Sequence, residues 1–343
     1  MSKILFADIF FGTPRGHSYV NNDLIKLLKE DGHDVAICKS NNNKIMSEFI
    51  IPDKIFENTE PALEMSEVQF REVLEEYKPD YCIFNEYGQW GEISYDKLDI
   101  CKEQNIKTIG YIIWERFEEL KKEHYKKYDK LICPSGFQTK FLRKKGLFNT
   151  VHIKWGVDLE EINSVVAPTD SGKTIFYHCA GGGGVDNRKN TKKVIEAYKL
   201  IKDDTTDLQI THLGSQVFSK SEIYSFMKNA DVLVNPSKWE TIGIPALEAN
   251  ACGIPVITTN APPMNEFVLE NVNGLLVDGE VVVGQHVTCD SVDVSVKALA
   301  DKMRICKNKL VLDTLKSNAK EFAKTNFDWN KNKIDFLKLF KED

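Results

Sequence analysis

Short apolar runs alternate with amphipathic stretches along nearly the whole chain. Ile4–Asp8 reads as a buried strand, and Tyr19–Asp31 as a helix with Val20, Leu24, Leu27 and Leu28 on one face. Gly32 suits the stop of that helix. Further strand-like runs fall at Asp34–Cys38, Tyr81–Phe84, Thr108–Ile113, Lys130–Cys133 and Val151–Ile153. Strands spaced by helices require crossovers, which predicts a parallel sheet buried on both faces. The pattern weakens around Gly156–Asp170, where Ala167 to Gly172 read as a linker. It then restarts with strand Thr174–Cys179, helix Lys189–Ile201, strand Leu208–His212, helix Ser221–Asn229 and strand Asp231–Asn235. Helix Pro245–Cys252 and strands Pro255–Thr258 and Gly274–Val277 follow. Val281–Val294 predicts an inserted hairpin, and Ser295–Cys306, Leu310–Thr325 and Trp329–Phe340 predict helices.

The expected class is therefore α/β, with two Rossmann-like doubly wound domains facing across a cleft. The length of 343 residues suits two cores better than one. In open parallel sheets ligands gather beyond the carboxyl ends of strands, so chemistry is sought in the loops that follow strands. A net charge of −6 disfavours general nucleic-acid binding, which needs a basic surface. The first apolar run breaks at Asp8, too early for a signal peptide, and no stretch approaches the length of a spanning helix. The eight cysteines are scattered without a C-x-x-C pair, which fits buried thiols in a reducing cytoplasm. Gly172–Thr174 imitates the end of a P-loop. That motif needs a glycine at 167, where the chain has alanine, and a helix rather than a strand after it.

The most informative stretch runs from Asn235 to Thr259, NPSKWETIGIPALEANACGIPVITT. A strand ends, a loop passes Glu240, and a helix starts near Pro245, a residue favoured in a first helical turn. Gly243 lets the backbone approach a ligand closely, and free amides at a helix start suit a pyrophosphate. Glu240 and Glu248 are acceptor-only groups suited to vicinal sugar hydroxyls. A second phosphate candidate is HCAGGGGVDNRKNTKKVIEAY, where a strand meets a glycine run and then Arg188 and Lys189. Cations there can clamp a leaving diphosphate. His17 follows another glycine-containing loop and is a candidate for phosphate or sugar contact. No D-x-D is present and the histidines lack metal spacing, so no metal is expected.

The block Glu240…Glu248, with Gly243, Pro245, Ala249, Gly253, Pro255 and Val256 in register, resembles the E-x7-E signature of glycosyltransferase family four, a family of the two-domain GT-B fold. The resemblance extends over nearly the whole chain. It includes GTPRGHSYVNNDLIKLLKEDGHDV at the front, ICPSGF at Ile132–Phe137, WGVD at Trp155–Asp158, Asn265–Glu266, Asn273–Gly274 and Phe327–Trp329. It implies domains at 1–158 and 159–326, with a C-terminal helix, 327–343, crossing back to the first domain. It implies that Glu240 and the amides of Thr241, Ile242 and Gly243 approach the donor sugar, that Glu248 takes the ribose, and that Gly12 and Gly16 lie near the pyrophosphate. Lys189 matches the lysine of the family, and Arg188 stands in for an arginine whose place falls in the glycine run. Where relatives carry a histidine, this chain has Trp114–Glu115, which makes Glu115 a candidate for the sugar side of the site. The loop Asn85–Trp90, with Tyr87 and Trp90, is expected to face the acceptor.

The implied reaction is metal-free, retaining transfer from a UDP- or GDP-sugar to a hydroxyl of a glycan or lipid-linked acceptor. The nucleotide-diphosphate sugar is a substrate and no cofactor is expected. A basic face (Lys121, Lys122, Lys126, Lys127, Lys140, Arg143, Lys144, Lys145) suggests peripheral membrane contact. Alternatives are an epimerase or phosphorylase of the same fold, which product analysis separates, and a silent nucleotide-sugar binding protein, which turnover separates.

Overall fold

In the computed structural model the described residues are 1–8, 11–13, 16–41, 44–58, 65–86, 95–167, 172–181, 188–211, 217–283 and 290–341. Tyr87, Trp90, Gly182–Gly184, linker positions 168–171, His212, His286 and Cys289 lie outside them. The chain divides into two compact units. Unit 1 holds residues 1–134, 138–153 and 335–343, and unit 2 holds 135–137 and 154–334.

From the amino terminus the elements are β1 (Lys3–Ala7), α1 (Gly16–Glu30), β2 (Asp34–Lys39), β3 (Lys54–Glu57), α2 (Glu67–Tyr77), β4 (Tyr81–Glu86) and α3 (Tyr95–Glu103). They continue with β5 (Lys107–Ile112), α4 (Lys122–Tyr125), β6 (Lys130–Cys133), α5 (Gly136–Lys144) and β7 (Thr150–His152). The seven strands pair in parallel in the order β3-β2-β1-β4-β5-β6-β7. Ile4, Leu5 and Phe6 are fully buried, as a sheet covered on both faces demands. The face of α1 carrying Val20, Leu24, Leu27 and Leu28 is buried with Ile25. The strand order reverses between β1 and β4, so the loops after these two strands occupy the switch point.

The chain continues with α6 (Leu159–Ser164), β8 (Thr174–Cys179), α7 (Thr191–Lys199), β9 (Thr206–Thr211), α8 (Lys220–Asn229), β10 (Val232–Asn235), α9 (Ile244–Ala251) and β11 (Val256–Thr259). Then come α10 (Met264–Phe267), β12 (Gly274–Val277), β13 (Gly279–Val282), β14 (Ser291–Val294), α11 (Val296–Ile305), α12 (Lys309–Asn326) and α13 (Trp329–Leu337). Five parallel strands pair in the order β12-β11-β10-β8-β9, reversing between β10 and β8. β13 and β14 form the expected antiparallel hairpin.

Gly274 and Gly156 are among the glycines required by close approach. A Cβ on Gly274 would stand 2.1 Å from the Val256 carbonyl oxygen, and one on Gly156 would stand 2.7 Å from that of Phe327. The second approach knits the WGVD segment to the later FDW segment. The Val157 amide donates to Phe327 at 2.8 Å, the Trp329 amide returns a bond to Val157 at 3.1 Å, and the Trp155 and Trp329 rings lie 4.9 Å apart. Within unit 1, Phe340 packs against the rings of His33 and Tyr81, with centroids at 5.7 and 5.0 Å.

Candidate functional site

The switch point of the unit 2 sheet is built from the loops after β8 and β10. Sequence periodicity places Arg188 and Lys189 at the start of a helix. In the structure they precede α7, because Asn190 adopts a left-handed conformation (φ 55°) and the helix begins at Thr191. Across from them the second loop brings Glu240, which is only 6% exposed. Its Oε1 accepts from the Lys189 ammonium and, at 2.7 Å, from the Ser237 hydroxyl. Its Oε2 accepts from Arg188 Nη1 at 2.7 Å, and the same nitrogen reaches the Trp239 carbonyl at 3.2 Å. Burial pushes the Glu240 carboxyl up. Arg188, Lys189 and the hydrogen bonds outweigh burial and hold it down to about 2. Burial pushes the Lys189 ammonium below its ordinary value; the Glu240 carboxylate opposes this and Arg188 adds to it. With Arg188 and Lys189 protonated and Glu240 ionised, the three side chains carry one net positive charge.

Backbone and side-chain bonds fix the two loops to each other. The Lys238 amide donates to the Arg188 carbonyl at 2.9 Å, and Asn190 Nδ2 donates to the Pro236 carbonyl at 2.9 Å. The hydroxyls of Thr258 and Thr259, at the end of β11, donate to Asn235 (2.9 Å) and Ser237 (2.7 Å). From the hairpin, the Val292 amide donates to Lys238 at 3.1 Å, and Asp293 meets Lys193 at 2.8 Å. His178, at the end of β8, is buried and its pKa is pushed down to about 4, chiefly by burial. The neutral ring has Nδ1 at 2.7 Å from the Val234 carbonyl and Nε2 at 2.8 Å from the Thr191 hydroxyl. It can donate to the first and accept from the second.

The glutamate helix α9 starts at Gly243 (φ 72°), followed by Ile244 and Pro245. Among the described residues, none accepts from the backbone N–H of Ile242, Gly243 or Ile244. Its far end closes through Gly253 (φ 81°), whose amide bonds Asn250 while that of Ile254 bonds Ala249, both at 2.9 Å. Glu248 is buried within α9. Burial pushes up the thiols of Cys179 and Cys252, and the Glu248 carboxylate adds to both shifts, while Lys189 pulls Cys179 down. The end of β8 is thus within electrostatic reach of both Glu248 and Lys189. Unit 2 therefore brings together Arg188, Lys189 and Glu240, with Thr241, Ile242 and Gly243 continuing the same loop and Glu248 in the helix it enters.

The remaining candidates belong to unit 1. Gly12 (φ 94°) packs against the backbone of Lys44 and Ile45, where a Cβ would stand 2.8 Å from the Lys44 carbonyl oxygen. Gly16 opens α1 with no atom within 4 Å of its missing side chain among the described residues, and His17 follows, partly buried. Glu115 is buried in a single 3-10 turn, Trp114–Arg116, directly after β5. Burial pushes the Tyr111 phenol up and the Glu115 carboxylate adds to that.

Sequence reasoning missed four buried polar residues: Asn190, Ser237, His178 and, at the end of β1, Asp8, which accepts from Asn21 Nδ2 at 2.7 Å. Most of the basic face is paired with acids: Lys121 with Glu118, Lys122 and Lys145 with Glu119, Lys126 with Glu123, and Lys127 with Asp99. Among the described residues no helix is long and apolar enough to cross a membrane.

Residues 209–283, which include both glutamates of the E-x7-E block, match the family described as Glycosyl transferases group 1. An uncharacterized glycosyltransferase of Methanocaldococcus jannaschii is 32% identical over 148 residues, 42% of this chain and 38% of that protein. A GDP-mannose-dependent alpha-(1-6)-phosphatidylinositol dimannoside mannosyltransferase of Mycobacterium tuberculosis is 22% identical over 242 residues, 58% of this chain and 61% of that protein. The chain spans less than two thirds of the length of either relative. Among solved structures, Anabaena HepE in complex with UDP and glucose is similar with a TM-score of 0.76 at 16% identity, over 99% of this chain and 100% of that one. The chain has the GT-B fold, and the segment that carries Glu240 and Glu248 is similar to glycosyl transferases of group 1.

Proposed function

We propose that the chain is a glycosyltransferase that moves a sugar from a UDP- or GDP-sugar to a hydroxyl of a glycan or lipid-linked acceptor. The observation that carries this reading is the Arg188–Lys189–Glu240 cluster at the switch point, beside the amides that open α9. Two cations sharing one carboxylate leave positive charge for a diphosphate, and a helix start adds oriented N–H groups. UDP in HepE and the GDP-mannose dependence of the mycobacterial relative support a nucleoside diphosphate here. In this reading Lys189 and Arg188 meet charge developing on the leaving diphosphate, with no metal. The amides of Thr241–Gly243 orient the sugar, Glu248 holds the ribose, and the anomeric configuration is retained. Glu240 orients the two cations as well as lining the sugar side.

The test is incubation with UDP- and GDP-sugars and a panel of acceptors, with and without EDTA. Nucleoside diphosphate and a retained glycoside are expected at equal rates in both conditions. EDTA inhibition reversed by manganese would overturn the metal-free mechanism, and an inverted product would overturn retention. Conversion of the donor without a second sugar acceptor would make the protein an epimerase. Absence of any turnover would leave a binding protein.

Two substitutions test the named residues. Glu248→Ala is expected to weaken UDP or GDP binding by about 1.5–3 kcal/mol, the value of a hydrogen bond to a charged group. Unchanged affinity by calorimetry would remove the ribose role. Glu115→Gln keeps the shape and removes the charge. It is expected to lower kcat about tenfold with nucleotide affinity unaltered, a change of roughly 1.4 kcal/mol in the barrier. Wild-type turnover would reduce Glu115 to a favourable charge at a helical turn.

A peripheral contact with anionic lipid is a second expectation for this protein. Leu120 and Phe148 are 97% and 79% exposed, and in the chain they lie beside Glu119 and near Lys145, which form an ion pair. Cosedimentation with vesicles that is indifferent to anionic lipid content would exclude it.

A further inference from the structure

Asn190 does not do what an asparagine before a helix ordinarily does. At that position Asn usually has an extended backbone, and its Oδ1 caps an amide of the first turn. Here the backbone is left-handed at φ 55° and the side chain caps nothing. The residue is fully buried, and its Oδ1 has no hydrogen-bond partner among the described residues. A buried acceptor left unsatisfied and a left-handed non-glycine residue both carry a cost, which persists only where the surroundings impose it. What is gained is one bond between loops, from Nδ2 to the Pro236 carbonyl at 2.9 Å.

The position of this bond gives it a consequence. Asn190 directly follows Lys189, and Pro236 directly precedes Ser237, so the bond joins the loop that carries the cations to the loop that carries their carboxylate. Both oxygens of Glu240 are engaged by groups next to this bond, with Lys189 and Ser237 on Oε1 and Arg188 on Oε2. The left-handed turn also separates Lys189 from α7. Had the helix begun at Lys189, as its periodicity suggests, Lys189 would continue the helical surface instead of reaching Glu240.

We propose that Asn190 is a positioning residue: its left-handed turn and its amide bond to Pro236 set Lys189 and Arg188 against Glu240 in the geometry that receives a diphosphate. The proposal rests on the reading of this cluster as the diphosphate site.

The test uses Asn190→Gly, Asn190→Ala and Asn190→Asp in the full chain. Glycine adopts positive φ freely, so N190G removes the bond and keeps the turn. Alanine loses both, and aspartate keeps the shape but cannot donate to the Pro236 carbonyl. Each variant is measured for thermal melting, for calorimetric affinity toward UDP, UMP, GDP and GMP, and for kcat and KM with the nucleotide sugar the wild type uses. N190G and N190D are expected to lose about tenfold or more in kcat, the scale of a small misplacement of a catalytic group. They are also expected to lose the preference for diphosphate over monophosphate, with KM changing less than kcat and N190G melting close to wild type. N190A is expected to lose more. Wild-type kcat and diphosphate preference in N190G would overturn the positioning role and leave the site reading intact. Failure of the wild type itself to bind UDP or GDP would overturn both.

Discussion

Glu240→Ala is expected to destabilise the folded protein by about 3–5 kcal/mol, because removing one member of a buried ion pair strands the others. Lys189 has a side chain only 6% exposed, and Arg188 is 31% exposed, so neither can recover its lost partner fully from water. The double variant Lys189→Met with Glu240→Ala removes the stranded charge and is expected to regain part of that loss. Chemical denaturation measures both. An E240A stability within about 0.5 kcal/mol of wild type, the range of an ordinary surface substitution, would deny the cluster its buried character.

The same carboxylate makes a prediction in pH. Its folded pKa is depressed from 4.5 to about 2. A depressed carboxylate contributes stability that is present above its unfolded pKa and lost as pH falls through its folded pKa. The contribution is therefore complete above pH 4.5 and disappears between there and about pH 2, by roughly 3 kcal/mol. Glu240→Gln carries no such charge, so the gap between it and wild type is expected to narrow over that window. A gap that stays constant with pH would show that Glu240 is not ionised in the native protein.

Lys189→Ala is expected to lower kcat by about 10²–10³-fold, the usual result of removing one group aimed at charge developing in a transition state. KM is expected to move much less, because the ammonium meets most of its charge only as the diphosphate departs. Steady-state kinetics with the preferred nucleotide sugar separates the cases. A rise in KM alone would make Lys189 a ground-state anchor, and unchanged kinetics would place the leaving-group cation elsewhere. Glu240 remains beside Arg188 in this variant, so the remaining net charge of the three positions falls to zero.

Alternation of apolar and amphipathic segments made both parallel sheets legible, since such strands are continuous apolar runs bounded by helices. Ile4–Phe6 and Val232–Val234 are examples, all fully buried or nearly so. β3 and α2 were not legible. β3 has only Ile55 and Phe56 between charged residues, both partly exposed at the sheet edge. α2 interleaves its buried Phe70, Val73, Leu74 and Tyr77 with four glutamates, which obscures the stripe until Ser66 is seen capping it. At the site, Glu240, Lys189 and Arg188 were legible because charged residues beside glycines after strands have few structural uses. Their mutual pairing was not, since it joins positions about 50 residues apart through a turn that only the conformation of Asn190 reveals. The signal present was an asparagine, a residue tolerant of positive φ, directly before the helix.

Residues 335–343 belong to unit 1 although 154–334 form nearly all of unit 2. During synthesis the strands β1 to β7 leave the ribosome first, yet Phe340, which covers His33 and Tyr81, emerges only after the whole of unit 2. Unit 1 can therefore complete this contact only once residues 335–343 have been made, whereas the sheet of unit 2 comes from one continuous segment.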